Sequence, residues 1–139
     1  MKNSQEIIIF SRLGIRPTSV RIVVFRAISK FKNTFNLQDV EDELSWMDKS
    51  SIFRTLNLFA AKSLLHTIND GSGTQKYCLC HHPGECDSHE MHCHFHCVKC
   101  GTTYCLSSVY PSHINLPEGF VVEKVSYIID GVCSSCSAK

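Results

Sequence analysis

The 139-residue chain is 43% hydrophobic and 19% charged, with nine cysteines, eight histidines and a formal net charge of +1. This balance fits one folded domain or two small ones and excludes a highly charged disordered chain. No stretch approaches the ~18 apolar residues of a membrane span, and Ile7 to Phe10 is too short for a signal peptide, so a cytoplasmic protein with no membrane partner is expected.

Charge and ligand-type residues are unevenly spread. Residues 1–80 hold eleven Lys/Arg against seven Asp/Glu, and residues 81–139 hold three against six. All cysteines but Cys78 and all histidines but His66 lie from Cys80 onward. A basic front half and a ligand-rich back half point to one part for nucleic acid and one for metal.

In chain order, Pro17 stops any earlier helix and Thr18 is a suitable N-cap for the first one. Val20, Val23, Val24, Ala27, Ile28 and Phe31 follow helical spacing, with Arg16, Arg21 and Arg26 off the stripe. Asn36 caps a second helix from Leu37 to Leu44. Asp48 or Ser50 starts a third, with Ile52, Leu56, Phe59 and Ala60 inward and Ser51, Phe53 and Arg54 elsewhere. Leu64–Ile68 and Gln75–Cys80 read as strands around the turn residues Asn69–Gly73. Three short helices and a hairpin suggest a winged-helix domain whose third helix enters the major groove. Any small α+β domain with a hairpin shares that outline.

Residues 81–91 read as a polar linker. From His92 the chain alternates, so His92, His94 and His96 share one face of a strand and Cys93, Phe95 and Cys97 the other. Thr102–Leu106 reads as the next strand, Tyr110–Leu116 as a short helix, and Phe120–Ile129 as a strong strand turned by Asp130 and Gly131 into Cys133. Six of the ten residues from His92 to Gly101 can bind a soft or borderline metal. Cys97-x2-Cys100 and Cys133-x2-Cys136 stand 32 residues apart. Two intervening residues let both thiolates of a pair reach one ion, and four thiolates suit structural zinc. Two disulfides are disfavoured in a reducing compartment. No Ser-His-Asp set, P-loop or carboxylate pair argues for an enzyme or a small-molecule substrate. A thiol-redox switch built on the C-x2-C pairs is the competing class.

Leu13-Gly-Ile-Arg-Pro-Thr-Ser-Val-Arg21, Ser51-Ile-Phe-Arg-Thr-Leu56, Ser63-Leu-Leu65, His92-x-His-x-x-Cys97-x-x-Cys-Gly101, Gly119-Phe120 and Asp130-Gly-Val-Cys-x-x-Cys136 together resemble the ferric-uptake-regulator (Fur) family of bacterial metal-responsive repressors, nearest to its zinc-uptake (Zur) type. The resemblance implies an α+β chain: a winged-helix DNA-binding domain (1–80), a hinge (81–91), and a small α/β dimerisation and metal-binding domain with a three-stranded sheet (92–139). It implies a homodimer that binds a palindromic double-stranded operator when a hinge metal site is filled. The DNA contacts it implies are Arg16, Arg21, Ser51, Phe53 and Arg54. The family's usual Thr-Val-Tyr-Arg is here Ser51-Ile-Phe-Arg54, so Phe53 keeps the ring but loses the hydroxyl.

The family's sensory histidines correspond to His92 and His94. Its zinc-uptake members add a wing histidine and a cysteine ending the hairpin, here His66 and Cys80. Other relatives use a cysteine at the place of Cys86. Where iron and peroxide sensors carry a carboxylate, this chain has Cys105. Which of Cys80, Cys86, His89 and Cys105 complete the site stays open. Imidazole and thiolate favour Zn2+ as the second, sensory ion over Fe2+ or Mn2+, which prefer oxygen. Cys78 reads as an ordinary buried residue.

Overall fold

The computed structural model describes residues 4–79, 93–106, 114–123 and 127–138. The chain falls into two compact units, Met1–Cys86 and Asp87–Lys139.

The first unit opens with a helix that Pro17 had concealed, α1 (Ser4–Leu13). Gly14, at φ 70°, ends it, and the Ile15 amide donates back to the Phe10 carbonyl at 2.8 Å. A left-handed glycine with a six-to-one bond is an efficient helix stop. The run Ile7-Ile8-Ile9-Phe10 shows no helical alternation, yet Phe10 alone is fully buried while Ile7 and Ile8 are exposed. Phe10 sets its ring against Phe25 and Phe59, with centroids 5.6 and 5.7 Å apart. Glu6 pairs with Arg26 at 2.6 Å, so Arg26, off the apolar stripe, ties α1 to the next helix.

That helix, α2 (Ser19–Ile28), is capped by Thr18, whose side chain accepts from the Arg21 amide. In α3 (Leu37–Glu43) the side chains and amides of Asn36 and Asp39 bond reciprocally in a capping box. Asp48 caps α4 (Lys49–Ala61). Ile52, Leu56 and Phe59 on α4 are wholly buried and join Val24, Ile28, Phe35 and Val40 in one core. Strands β1 (Leu65–Ile68) and β2 (Lys76–Leu79) form an antiparallel hairpin. Phe35 bridges to Tyr77 on β2 through two backbone bonds of 3.0 and 2.7 Å. In the turn, the buried Asp70 carboxylate takes the Ser72 amide and pairs with Lys76 at 2.7 Å. A buried charge is retained only when it is met in this way.

The second unit holds a three-stranded sheet in the order β4-β3-β5. Strand β3 (Cys93–Cys97) runs antiparallel to β4 (Thr103–Leu106) and parallel to β5 (Ile128–Gly131). A one-turn helix, α5 (Ser134–Ser137), follows. Three expectations need correction here. Asp130 and Gly131 pair with β3 instead of turning. Residues 120–123 form no strand, because a period-two apolar pattern needs a ladder partner, and these residues meet none among the described residues. The expected Tyr110–Leu116 helix is absent from its described part, 114–116, and the rest lies outside the described residues. Among the described residues, no helix is long and apolar enough to cross a membrane.

The two units are built on different chemistry. Every member of the apolar core belongs to the first. In the second, the buried residues among those described are Cys93, His94, Cys97, Thr103 and Cys133, with no buried aliphatic or aromatic side chain.

Candidate metal centre and nucleic-acid interface

Cys97 ends β3, and the chain folds back on itself through a knuckle. The Gly101 amide donates to the Cys97 carbonyl at 2.9 Å, and Gly101 takes φ 77°, a conformation that favours glycine. This brings Cys100 under Cys97. Parallel pairing sets Gly131 beside Cys97 and bonds the Val98 amide to the Gly131 carbonyl at 2.8 Å. Cys133 is thereby delivered to the same place, and α5 carries Cys136. The sulphurs of Cys97, Cys100, Cys133 and Cys136 all lie within 4.8 Å of one another.

Cys100 and Cys133 stand 3.9 Å apart, nearly twice a disulfide length. A tetrahedral ion with metal–sulphur bonds of about 2.3 Å requires sulphur–sulphur edges of about 3.8 Å. The one short edge matches that spacing, and the four-thiol donor set suits a tetrahedral, thiophilic ion.

The protonation of Cys97, Cys133 and Cys136 points the same way. Amide donors from Cys100 and Cys133 pull the Cys97 thiol down to about 6. The Tyr104 hydroxyl lowers Cys133, while hydrogen bonding to Cys133, then burial, pushes Cys136 up to about 12. Sulphurs this close cannot all ionise alone, and a dication removes that conflict by displacing the remaining protons.

The expected sensory residues are placed in part. On β3 and β4, His94 pairs with Cys105 across the antiparallel ladder, and their ligand atoms lie within 4.8 Å. His94 is buried and Cys105 half-buried. His96 instead meets Thr103, Nδ1 to Oγ1, at 3.1 Å. In the hairpin of the first unit, His66 pairs in register with Cys78. Directly opposed residues of an antiparallel pair share a face, so Cys78, buried as the sequence reading expects, is His66's cross-strand neighbour. Cys80, Cys86, His89 and His92 lie outside the described residues.

On α4 the buried stripe turns Phe53 and Arg54 outward, with Phe53 47% exposed, and leaves Ser51 half-buried. Arg54 Nη2 donates to Ser51 Oγ at 3.4 Å. Arg16 is exposed, and Arg21 Nη1 donates to the Arg16 carbonyl at 2.8 Å. Phe53 is therefore not a core residue, and Arg54 is held by a hydroxyl rather than by a carboxylate.

A four-helix unit with an outward aromatic and arginine, joined in one chain to a four-sulphur knuckle, fits a metal-responsive regulator. The chain belongs to the ferric uptake regulator family, whose model matches residues 12–110. The match ends before Cys133 and Cys136, so the second cysteine pair rests on the geometry above. Among solved structures, a zinc uptake regulator complexed with zinc and DNA shares the fold at a TM-score of 0.68 and 19% identity, over 97% of this chain and 92% of that one. The holo form of XcZur follows at 0.62 and 18%, over 91% and 89%. A ferric uptake regulator from Francisella tularensis with iron gives 0.59 and 18%, over 89% and 96%. No curated protein sequence matches the chain.

Proposed function

We propose that the chain is a zinc-responsive transcriptional repressor that binds a palindromic operator as a homodimer when an exchangeable metal site is filled. The observation that carries the reading is the outward face of α4. A large apolar ring kept in solvent beside an arginine, on a helix buried on its other side, is suited to a groove: the ring meets a thymine methyl and the guanidinium a guanine edge or phosphate. Residues 1–80 would form the winged-helix reader, with Arg16 and Arg21 on the DNA backbone. Residues 92–139 would form the dimerisation domain. Ile114, Leu116, Phe120, Val121 and Val122 are exposed there, with Val121 at 87%. A second copy of the chain would cover them and give residues 120–123 the ladder partner they lack.

Cys97, Cys100, Cys133 and Cys136 would hold a permanent structural Zn2+. The exchangeable ion would take His94 and Cys105, with His66, Cys80, Cys86 and His92 as the further candidate ligands. Cys105 supports zinc over Fe2+ or Mn2+, because a thiolate stands where an iron sensor has a carboxylate. The switch is linkage: if one domain arrangement favours both ion and operator, each raises the other's affinity by the same factor, for a typical coupling of about 1–3 kcal/mol.

The test is the metal content of the purified chain before and after mild chelation, with operator binding measured at each stage. Two zinc per chain are expected, the looser one controlling DNA binding. Operator binding that follows iron(II) and ignores zinc would move the assignment to an iron sensor. Reversible dithiol oxidation that ejects the tight zinc and alone controls binding would favour a thiol switch.

A further inference from the structure

The polar residues of α4 fall into two sets. One set bonds within the helix. The Ser51 hydroxyl donates to the Asp48 carboxylate at 3.2 Å, and the buried Thr55 hydroxyl donates to the Ser51 carbonyl at 2.7 Å. The other set stands outward. Ser50, Phe53, Arg54 and Asn57 are all exposed, at positions i, i+3, i+4 and i+7. That spacing makes one continuous ridge on a helix, on the side away from the buried Ile52, Leu56 and Phe59. Recognition helices of the homeodomain type read base edges from the same spacing.

Asn57 is the member of this ridge that local structure does not explain. It is the ninth of the thirteen residues of α4, so it caps neither end. Asparagine is a weak helix former, because its side chain competes with the backbone for hydrogen bonds. Here the side-chain amide makes no hydrogen bond among the described residues and lies exposed on the ridge. Arg54 is held the other way: its Nη2 donates to Ser51 Oγ, one turn toward the N-terminus, at 3.4 Å. The next turn of the ridge is left to Asn57, about 4.5 Å further along the axis. A base pair rises about 3.4 Å, so the two side chains address different base pairs.

Resting on the reading of α4 as the helix that enters the major groove, we propose that Asn57 is a specificity-determining residue that reads an adenine beside the base pair met by Arg54. Its amide carbonyl accepts from adenine N6 while its amino group donates to adenine N7. No other base presents that donor and acceptor together in the major groove: guanine offers two acceptors, thymine an acceptor and a methyl, and cytosine a donor. Ser50, with a single hydroxyl, meets either a donor or an acceptor and makes no such selection.

The test uses the full zinc-loaded chain and a pool of DNA duplexes with a randomised core. Wild type should select an adenine at one position of each half-site. Replacing it by guanine in the selected duplex should weaken binding about tenfold by fluorescence anisotropy, equivalent to ~1.4 kcal/mol. Asn57→Ala should bind the two duplexes equally, whereas Asn57→Gln, which keeps the amide, should still prefer adenine. Arg54→Ala should lose preference at a different position. Alanine is the better helix former, so Asn57→Ala should melt no lower than wild type, which separates lost reading from lost folding. A lower melting temperature, an equal loss of affinity on every duplex, or an unchanged adenine preference in Asn57→Ala overturns the proposal. Loss of preference in Arg54→Ala would then leave the reading of α4 standing. A wild-type chain that selects no duplex overturns the reading beneath it.

Discussion

The contrast between the two units leads to a prediction about Cys97→Ser. The first unit has its own apolar core of fifteen buried residues, including Phe10, Phe35, Ile52 and Phe59. The second buries three cysteines, a histidine and a threonine among its described residues. A folded unit of about fifty residues whose described part buries no aliphatic or aromatic side chain needs another source of stability. A four-thiolate zinc site supplies about 10–16 kcal/mol of apparent binding free energy, as much as the whole stability of an ordinary domain. A serine at position 97 stays protonated at neutral pH and does not replace the thiolate. Its shorter Cβ–Oγ bond also draws the acceptor back from the two amides that bond the Cys97 sulphur. The expected outcome is an unfolded second unit beside an intact first one. Hydrogen exchange read by mass spectrometry should show β3, β4 and β5 exchanging within about tenfold of an unstructured chain, an opening free energy below about 1.4 kcal/mol. Protection in α2 and α4 should be retained. Wild-type protection in β3 and β5 of a metal-free Cys97→Ser protein would refute the argument that the ion stands in for a core.

Three further outcomes follow from particular contacts. Arg54→Ala should weaken operator binding by about 1–3 kcal/mol and relax preference at one base pair if it reads a guanine edge, measured by fluorescence anisotropy on operator variants. Gly131→Ala drives a Cβ to 2.8 Å from Phe95 and should destabilise the second unit by about 1–3 kcal/mol in thermal melts, with Phe95→Leu restoring much of the loss. The Arg26 guanidinium holds the Glu6 carboxyl below its usual range. Because the folded value is the depressed one, the pair's contribution is present above the unfolded value near 4.5 and fades as pH falls through the folded value. On acidification through that window the wild type should lose more of its melting temperature than Glu6→Gln does.

Local signals were legible where one principle decides the outcome. Thr18, Asn36 and Asp48 are N-caps because a short oxygen-bearing side chain satisfies a free amide, which needs no tertiary context. The stripe on α4 is legible for the same reason. Helix α1 was not: its isoleucines show no periodicity, and only packing on Phe25 and Phe59 singles out Phe10.

The same division holds at the metal centre. Each C-x2-C pair is a local device, so the spacing alone determined that two thiolates could meet within a pair, and the mixture of sulphur and imidazole determined the softness of any ion they bind. That the two pairs meet each other depends on β5 lying parallel beside β3, a contact between residues far apart in the chain. That His94 faces Cys105, and His66 faces Cys78, depends on strand register, in which a slip of one residue exchanges the faces of every side chain. Chemistry was written residue by residue, while partnership was decided by backbone ladders that form only when the chain has folded.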